Sequence, residues 1–235
     1  MRKHADIIYV KVIWMKGDKL VIQEGHVKAA QYITELLFPQ IVKVQGKFII
    51  TIAGESGSGK SEIAATLCQF LLEKGIKGII LQQDDYFVYP PKTNAKMRRE
   101  DIRHVGLSEV RLDVLDQNLH DIIVGKDEIE KPLVIFDEDL ITTERVKLRG
   151  IKVIIVEGTY TTLLKSVHRR IFIDRTYTYT SETRKLRARE EQDELLERIL
   201  GIEHSIISSH KPRADIIVTD NYRVRKVMKN EGKSR

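Results

Sequence analysis

Runs of consecutive apolar residues alternate with amphipathic stretches along most of the 235-residue chain. Apolar runs rich in Ile and Val predict strands buried on both faces, and apolar residues spaced three and four apart predict helices. The predicted strands are 48–53, 78–81, 133–136, 151–156, 171–174 and 215–218, and the predicted helices include 61–74, 109–124 and a stretch from 195 onward. This alternation predicts an α/β fold, a three-layer sandwich around a mostly parallel five-stranded sheet.

Residues 1–47 precede the first of these strands and are predicted to form an extension. Two β-rich runs, 7–14 and 20–22, flank a Gly-Asp turn, which predicts a hairpin. A helix is predicted from His26 to Leu37, with Pro39 ending it. We expect the hairpin and helix to pack at the edge of the core, with an interface or a substrate-facing flap as the alternative.

Residues 86–106 show no hydrophobic period and contain two consecutive prolines, so a long loop is predicted there. Its basic residues form either a solvated surface or a group that binds an anionic acceptor or clamps phosphate. These residues are Lys92, Lys96, Arg98, Arg99, Arg103 and His104.

Residues 181–197 begin with few large apolar side chains and several arginines among acidic residues. We predict a helical lid around 181–197, because a transferring phosphoryl group needs positive charge from outside the loop that binds it. A surface helix with internal ion pairs is the alternative. The remaining core, 48–222, is predicted to be one domain, and the basic tail 223–235 is predicted to be frayed.

Bulk composition indicates a globular protein, with 42% apolar and 31% charged residues and no apolar run as long as a membrane span. No cleavage site follows the N-terminal apolar run, so we expect cytoplasmic residence and no membrane partner. The net charge of +6 suits a protein that handles anionic nucleotides. No nucleic-acid-binding motif accompanies that charge, so a polynucleotide partner is not favoured, and a homo-oligomer is compatible with the sequence.

The strongest chemical signal is Gly54-Glu55-Ser56-Gly57-Ser58-Gly59-Lys60-Ser61, which fits the phosphate-loop pattern of Gly, four residues and Gly-Lys-Ser/Thr. It lies between a predicted strand and a predicted helix, as the motif requires. Glycines let successive N–H groups and the helix N-terminus point at phosphate oxygens. Lys60 would reach the β- and γ-phosphates, and the Ser61 hydroxyl would bind Mg²⁺. The stretch therefore predicts a nucleoside-triphosphate site.

Two acidic residues follow other predicted strands. Asp84 comes after 78–81, and Glu157 comes after 151–156. The carboxyl ends of parallel strands share one edge of the sheet, and ligands bind there. Both carboxylates are therefore predicted to lie on the rim that carries the phosphate loop.

Segments spread from about Phe48 to Val218 resemble the phosphoribulokinase/uridine kinase family of phosphate-loop kinases. The resemblance rests on their order along the chain, since the loop alone is common to many NTPases. The similar segments are the loop 54–61, Leu81–Phe87, Ile154–Gly158, Ile171–Asp174 with the arginines that follow, and Ala214–Val218.

This resemblance implies ATP-dependent phosphorylation of a small-molecule hydroxyl, with Asp84 as the base that accepts the acceptor's proton. It implies that Ser61 and Glu157 hold Mg²⁺ and that Lys60, Arg187 and Arg189 neutralise charge. Asp85 is expected to be a cap or loop residue because it points the other way on an extended chain. Residues expected to contact the acceptor are Asp84, Tyr86, Arg103, His104 and Arg184.

Departures from the family concern the acceptor. Uridine kinases carry a Tyr and a His that hold the pyrimidine, and on a gap-free register these positions are Val134 and Asp139 here. Their ribose-holding segment is also missing. A nucleoside is the first expectation, and a sugar, sugar phosphate or other small alcohol is the alternative. A nucleotide-dependent switch or nucleic-acid-associated NTPase is the alternative from another class, although no Asn-Lys-x-Asp or Leu-Ser-Gly-Gly segment supports it.

Overall fold

The elements are those of a computed structural model, which describes residues 20–180 and 193–228. Within these ranges the helices are α1 (Glu24–Lys43), α2 (Lys60–Glu73), α3 (Pro91–Glu100), α4 (Leu112–Ile123) and α5 (Glu194–His210). The strands are β1 (Phe48–Gly54), β2 (Gly78–Gln82), β3 (Glu128–Ile135), β4 (Leu140–Lys147), β5 (Val153–Gly158), β6 (Arg169–Ile173), β7 (Ile216–Val218) and β8 (Val224–Lys226). None of the helices in these ranges is both long and apolar enough to span a bilayer.

The central sheet has the strand order β2-β5-β1-β6-β7-β8. Its first five strands are parallel, which confirms the predicted parallel sheet, and β8 pairs antiparallel with β7. The predicted strand at 133–136 is part of a separate hairpin, β3–β4, and does not enter the sheet. The prediction of a frayed tail from 223 is wrong for 224–226, because these three residues complete the sheet edge.

Helices cover both faces of the sheet, as a three-layer sandwich requires. Ile50 and Ile52 of β1 pack with α1 and α2 on one face. Ile49 and Ala53, which alternate with them, pack with α4 and α5 on the other. β1 and β5 are therefore buried along their whole length, since the alternating side chains of each strand enter two hydrophobic cores.

α1 is longer than the predicted helix. Pro39 lies inside α1, and the prediction that it ends the helix is wrong. Ile41, beyond the proline, is fully buried, so packing against the core offsets the backbone hydrogen bond that proline removes. Residues 20–22 lie in no strand, so the second strand of the predicted hairpin is also wrong; its first strand, 7–14, lies outside the described residues.

α3 replaces much of the loop predicted at 86–106. Pro91 occupies its first turn, where a missing N–H costs nothing. Asp139 in the β3–β4 turn caps the helix by accepting hydrogen bonds from the Lys92 N–H over 2.7 Å and the Thr93 hydroxyl over 2.6 Å. Polar contacts of this kind leave no hydrophobic period, and so the helix was not predicted.

Candidate active site

The phosphate loop joins the end of β1 to the start of α2 and has the backbone that its glycines predict. Gly57 and Gly59 adopt φ angles of +72° and +99°, a region that is strained for other residues. A Cβ atom at Gly54 would lie 2.8 Å from Oγ of Ser58 and 3.0 Å from the Ile173 carbonyl oxygen. The glycines are therefore required by both curvature and close packing.

The donors around this loop fit a phosphate. Oγ of Ser58 is buried and has no hydrogen-bond partner among the described residues. Nζ of Lys60 donates to the Glu55 carbonyl oxygen over 2.9 Å, so the amine lies over the loop. The first N–H groups of α2 have no partner within the helix and lie at its positive end.

Glu55 contributes its backbone to the loop, while its carboxylate binds elsewhere. The side chain is 5% exposed and accepts hydrogen bonds from the Tyr177 N–H over 2.6 Å. Its other oxygen lies 2.7 Å from Nδ1 of His204 on α5. The Glu55 carboxylate therefore binds Tyr177 and His204, which lie on either side of the predicted lid, and it does not point into the phosphate loop.

Glu157 lies at the end of β5, beside the start of α2. Its Oε1 accepts hydrogen bonds from the Ser61 hydroxyl over 3.2 Å and from Nε2 of Gln82 over 3.4 Å. Burial raises the pKa of Glu157 to about 7; the charge of Lys60 opposes this rise, and the charge of Asp84 adds to it. Lys60 and Asp84 thus lie close enough to Glu157, at the same rim, for their charges to act on its carboxyl group.

Asp84 and Asp85 lie in different environments. Asp84 is partly exposed in the 3-10 turn that follows β2. Asp85 is buried and binds the hairpin β3–β4, with Oδ2 2.5 Å from Nζ of Lys131 and Oδ1 accepting the Val134 N–H over 3.1 Å. Asp85 is therefore committed to the hairpin, although the segment is a 3-10 turn and not the extended chain that was expected. Asp84 lies close enough to Glu157 for its charge to affect the pKa of that carboxyl.

Gln83 supports this turn, and sequence reasoning missed its role. Its side chain bridges to the segment after β5, donating to the Thr159 hydroxyl over 3.0 Å and accepting the Tyr160 N–H over 2.7 Å. A Cβ atom at Gly158 would lie 2.3 Å from Cβ of Gln83, so the glycine is needed for this approach. The sequence feature that indicates this role is the position of Gln83 immediately before Asp84.

The predicted acceptor contacts are only partly placed near the site. Tyr86 is fully buried, and its hydroxyl donates to Oδ1 of Asn118 over 3.1 Å, so it belongs to the core. Arg103 is exposed and paired with Asp101. Nε2 of His104 lies 3.0 Å from Oδ1 of Asn94.

The basic residues at 92–104 are occupied within the protein. Arg98 pairs with the buried Glu109 and donates to Glu203 over 3.0 Å. The other partners are Asp137 for Lys92, Glu100 for Lys96, Asp193 for Arg99, Asp101 for Arg103 and Asn94 for His104. The expectation that this cluster binds an anionic acceptor is therefore not supported by its contacts.

Arg184, Arg187 and Arg189 lie outside the described residues, but both flanks of their segment are described. On one side, the Thr180 hydroxyl donates to the Ser56 carbonyl oxygen over 2.9 Å. On the other, Asp193 accepts from Arg99 over 3.0 Å. The described residues on the two sides of the segment therefore contact the phosphate loop and α3.

The oxygen donors here suit a hard cation. Nowhere in residues 20–180 and 193–228 do three or more His, Cys, Asp or Glu side chains form a metal-binding group. Mg²⁺ in phosphoryl-transfer sites needs only one or two protein oxygens, since phosphates and water complete its octahedron. Ser61 and Glu157 meet that lower requirement.

Residues 49–179 match the sequence model of the Phosphoribulokinase / Uridine kinase family. The uridine kinase of Histophilus somni (strain 2336) is 30% identical to this chain over 189 residues, covering 74% of this chain and 87% of that protein. The bifunctional alpha-galactosidase/sucrose kinase AgaSK of Mediterraneibacter gnavus is 27% identical over 191 residues, or 74% of this chain, which spans 20% of that protein. A solved structure of a possible uridine kinase from Bacillus stearothermophilus gives a TM-score of 0.59 at 18% identity, covering 81% of this chain and 97% of its own.

Proposed function

Since this chain belongs to the phosphoribulokinase/uridine kinase family and is a kinase of small-molecule hydroxyl groups, we propose that it uses ATP with Mg²⁺ and that Asp84 is the general base. The observation that carries this proposal is the convergence at one sheet edge of Lys60, Ser61, Asp84 and Glu157. Phosphoryl transfer needs these groups in place because catalysis rests on positioning and on neutralising charge.

Asp84 has the properties of a base for an incoming hydroxyl. It is partly exposed at the rim, whereas Asp85 is buried and paired with Lys131, so Asp84 is the carboxylate of this pair that an acceptor can reach from solvent. Asp84 would accept the hydroxyl proton as the oxygen attacks phosphorus. Gln83, fixed to the segment after β5, holds the turn that aims this carboxylate.

The other rim residues would bind the nucleotide. Lys60 would transfer its hydrogen bond from the Glu55 carbonyl oxygen to phosphate oxygens. The Ser61 hydroxyl and the Glu157 carboxylate would hold Mg²⁺, which when bound supplies positive charge that offsets the charge of the phosphates. The resemblance assigns charge neutralisation to Arg187 and Arg189 and an acceptor contact to Arg184, and the described residues on either side of their segment contact the phosphate loop and α3.

The contacts favour a sugar-like acceptor over a pyrimidine nucleoside. The resemblance places Val134 and Asp139 where uridine kinases hold the pyrimidine. Here Val134 is 4% exposed, and its N–H is given to Asp85. The Asp139 carboxylate caps the N-terminus of α3. Neither residue is therefore placed to bind a pyrimidine ring. The similarity to a protein with sucrose kinase in its name supports an acceptor with several hydroxyl groups.

An acceptor screen tests the proposed function. Purified protein is incubated with Mg·ATP and, one at a time, with uridine, cytidine, mono- and disaccharides, sugar phosphates and glycerate, and ADP release is coupled to NADH oxidation. We expect acceptor-dependent ADP release with a neutral sugar, and none with the K60A variant. ATP hydrolysis that no acceptor stimulates would contradict the proposal, and preference for uridine would overturn the acceptor class.

A further inference from the structure

α1 lies outside the residues that match the family, yet its first turn touches the phosphate loop. His26 in that turn is 4% exposed. Its Nδ1 accepts the Gln23 N–H over 3.0 Å, so Nε2 carries the ring proton in the neutral imidazole. Nε2 lies 2.7 Å from the Tyr222 hydroxyl and therefore donates to it. The side chain thus links the start of α1 to the turn between β7 and β8.

Tyr222 is held from three sides. Its ring packs edge-to-face on His26 at a centroid distance of 4.7 Å. The Arg175 guanidinium lies 4.4 Å from the ring centroid and donates to the hydroxyl. Gly25 leaves room for the ring, since a Cβ atom there would lie 2.3 Å from Cδ2 of Tyr222. Tyr222 also adopts a φ of +62°, a conformation rare for a bulky residue, so the surrounding contacts fix it in place.

These side chains meet the phosphate loop at Gly59. A Cβ atom on Gly59 would lie 2.7 Å from Nε2 of His26 and 3.5 Å from the Tyr222 hydroxyl. Gly59 has the left-handed φ that starts α2, and Lys60 is the next residue. Movement of Gly59 would therefore displace both the amine of Lys60 and the first N–H groups of α2.

We propose that His26 and Tyr222, with Arg175, are positioning residues that brace Gly59, so that α1 is part of the nucleotide-binding unit. They act through the loop backbone, which they hold in the shape that binds phosphate before the nucleotide arrives. The proposal rests on the proposed use of this loop for ATP and is independent of the acceptor. Loss of the brace weakens nucleotide binding because the loop must then be ordered by the ligand.

The test separates the brace from the cap of α1. In H26N the amide oxygen replaces Nδ1 and keeps the acceptor for the Gln23 N–H, but the side chain is too short to reach Tyr222. In H26Q the amide nitrogen reaches the position of Nε2. Isothermal titration calorimetry with Mg·ADP should give a roughly tenfold weaker Kd for H26N and for Y222F, and H26Q should recover affinity to within about threefold of the natural protein. The H26N/Y222F double variant should lose less affinity than the sum of the two single losses, because both remove the His26–Tyr222 hydrogen bond, while Y222F also removes the contact of Arg175 with the hydroxyl.

Two further variants keep the test independent of stability. I33V removes a buried methylene from the core face of α1, away from the phosphate loop. It should lower the midpoint of thermal unfolding and leave the Kd for Mg·ADP unchanged. G25A improves helix propensity but displaces the Tyr222 ring, so it should weaken Mg·ADP binding. Equal affinities for H26N, Y222F and the natural protein would overturn the brace, as would equal losses in H26N and H26Q. An unaltered natural protein that binds Mg·ADP but phosphorylates no acceptor would instead count against the proposed function.

Discussion

The Ser61 hydroxyl donates to Oε1 of Glu157 over 3.2 Å, and this contact joins the start of α2 to the end of β5. The two residues are 96 positions apart in the chain. They meet because β1 and β5 are parallel neighbours whose carboxyl ends lie at the same rim. We propose that this hydroxyl and this carboxylate hold the Mg²⁺ of a bound nucleotide.

E157Q should change the pH dependence of stability. Burial raises the pKa of Glu157 from 4.5 to about 7. The folded state therefore binds the proton more tightly than the unfolded chain, and this stabilisation is complete below about pH 4.5 and is lost as the pH rises through 7. In metal-free buffer, the free energy of unfolding of E157Q minus that of the natural protein should therefore increase by about 1–3 kcal/mol from pH 5 to pH 8.

Urea unfolding with EDTA at the two pH values measures this difference. S61A is the matched control, because it leaves the carboxylate in place and should keep a pH dependence of the same sign. A stability difference between E157Q and the natural protein that does not vary with pH would contradict the assignment.

D139A should destabilise the protein by removing the cap of α3. Asp139 caps α3 from the β3–β4 turn, and its loss leaves the first N–H groups of α3 without acceptors. We expect a cost of about 1–2 kcal/mol in the free energy of unfolding. Chemical denaturation measures this cost. T93V removes only the hydroxyl contact and should show a smaller loss. An unchanged free energy of unfolding in D139A would contradict the capping role of Asp139.

K131M should destabilise the protein strongly. Lys131 lies between two carboxylates, 2.5 Å from Asp85 and 2.8 Å from Glu144, and is 4% exposed. Its removal leaves buried negative charge without a partner, which costs about 3–5 kcal/mol. Chemical denaturation should show that K131M/D85N recovers most of this loss. If the double variant were as unstable as K131M, the buried charge of Asp85 would not be the cause.

The sheet and the phosphate loop could be predicted because their signals are local. β1 and β5 are runs of apolar residues buried on both faces, and the glycine spacing of the loop follows from the backbone it needs. α3 could not be predicted, because its buried side chain is Asn94 and its stability comes from Asp139 and Glu109.

The contact between His26 and Tyr222 joins residues 196 positions apart. No periodicity reports such a pair, since it depends on how the β7–β8 turn returns to α1. Likewise, the basic residues at 92–104 are compatible with an anion site when only the sequence is known. The sequence does not show that Arg98 pairs with Glu109 and Glu203, which are distant from it along the chain.

D84N tests the central claim, that Asp84 is the base at the rim of the phosphate loop. The substitution keeps the shape of the side chain and removes its ability to accept a proton, so it should lower kcat about 10²–10⁴-fold with the preferred acceptor. The Kd for Mg·ADP should stay within about twofold of the natural value, because Lys60, Ser61 and Glu157 remain. Undiminished kcat in D84N, measured by coupled assay beside that unchanged Kd, would contradict the account.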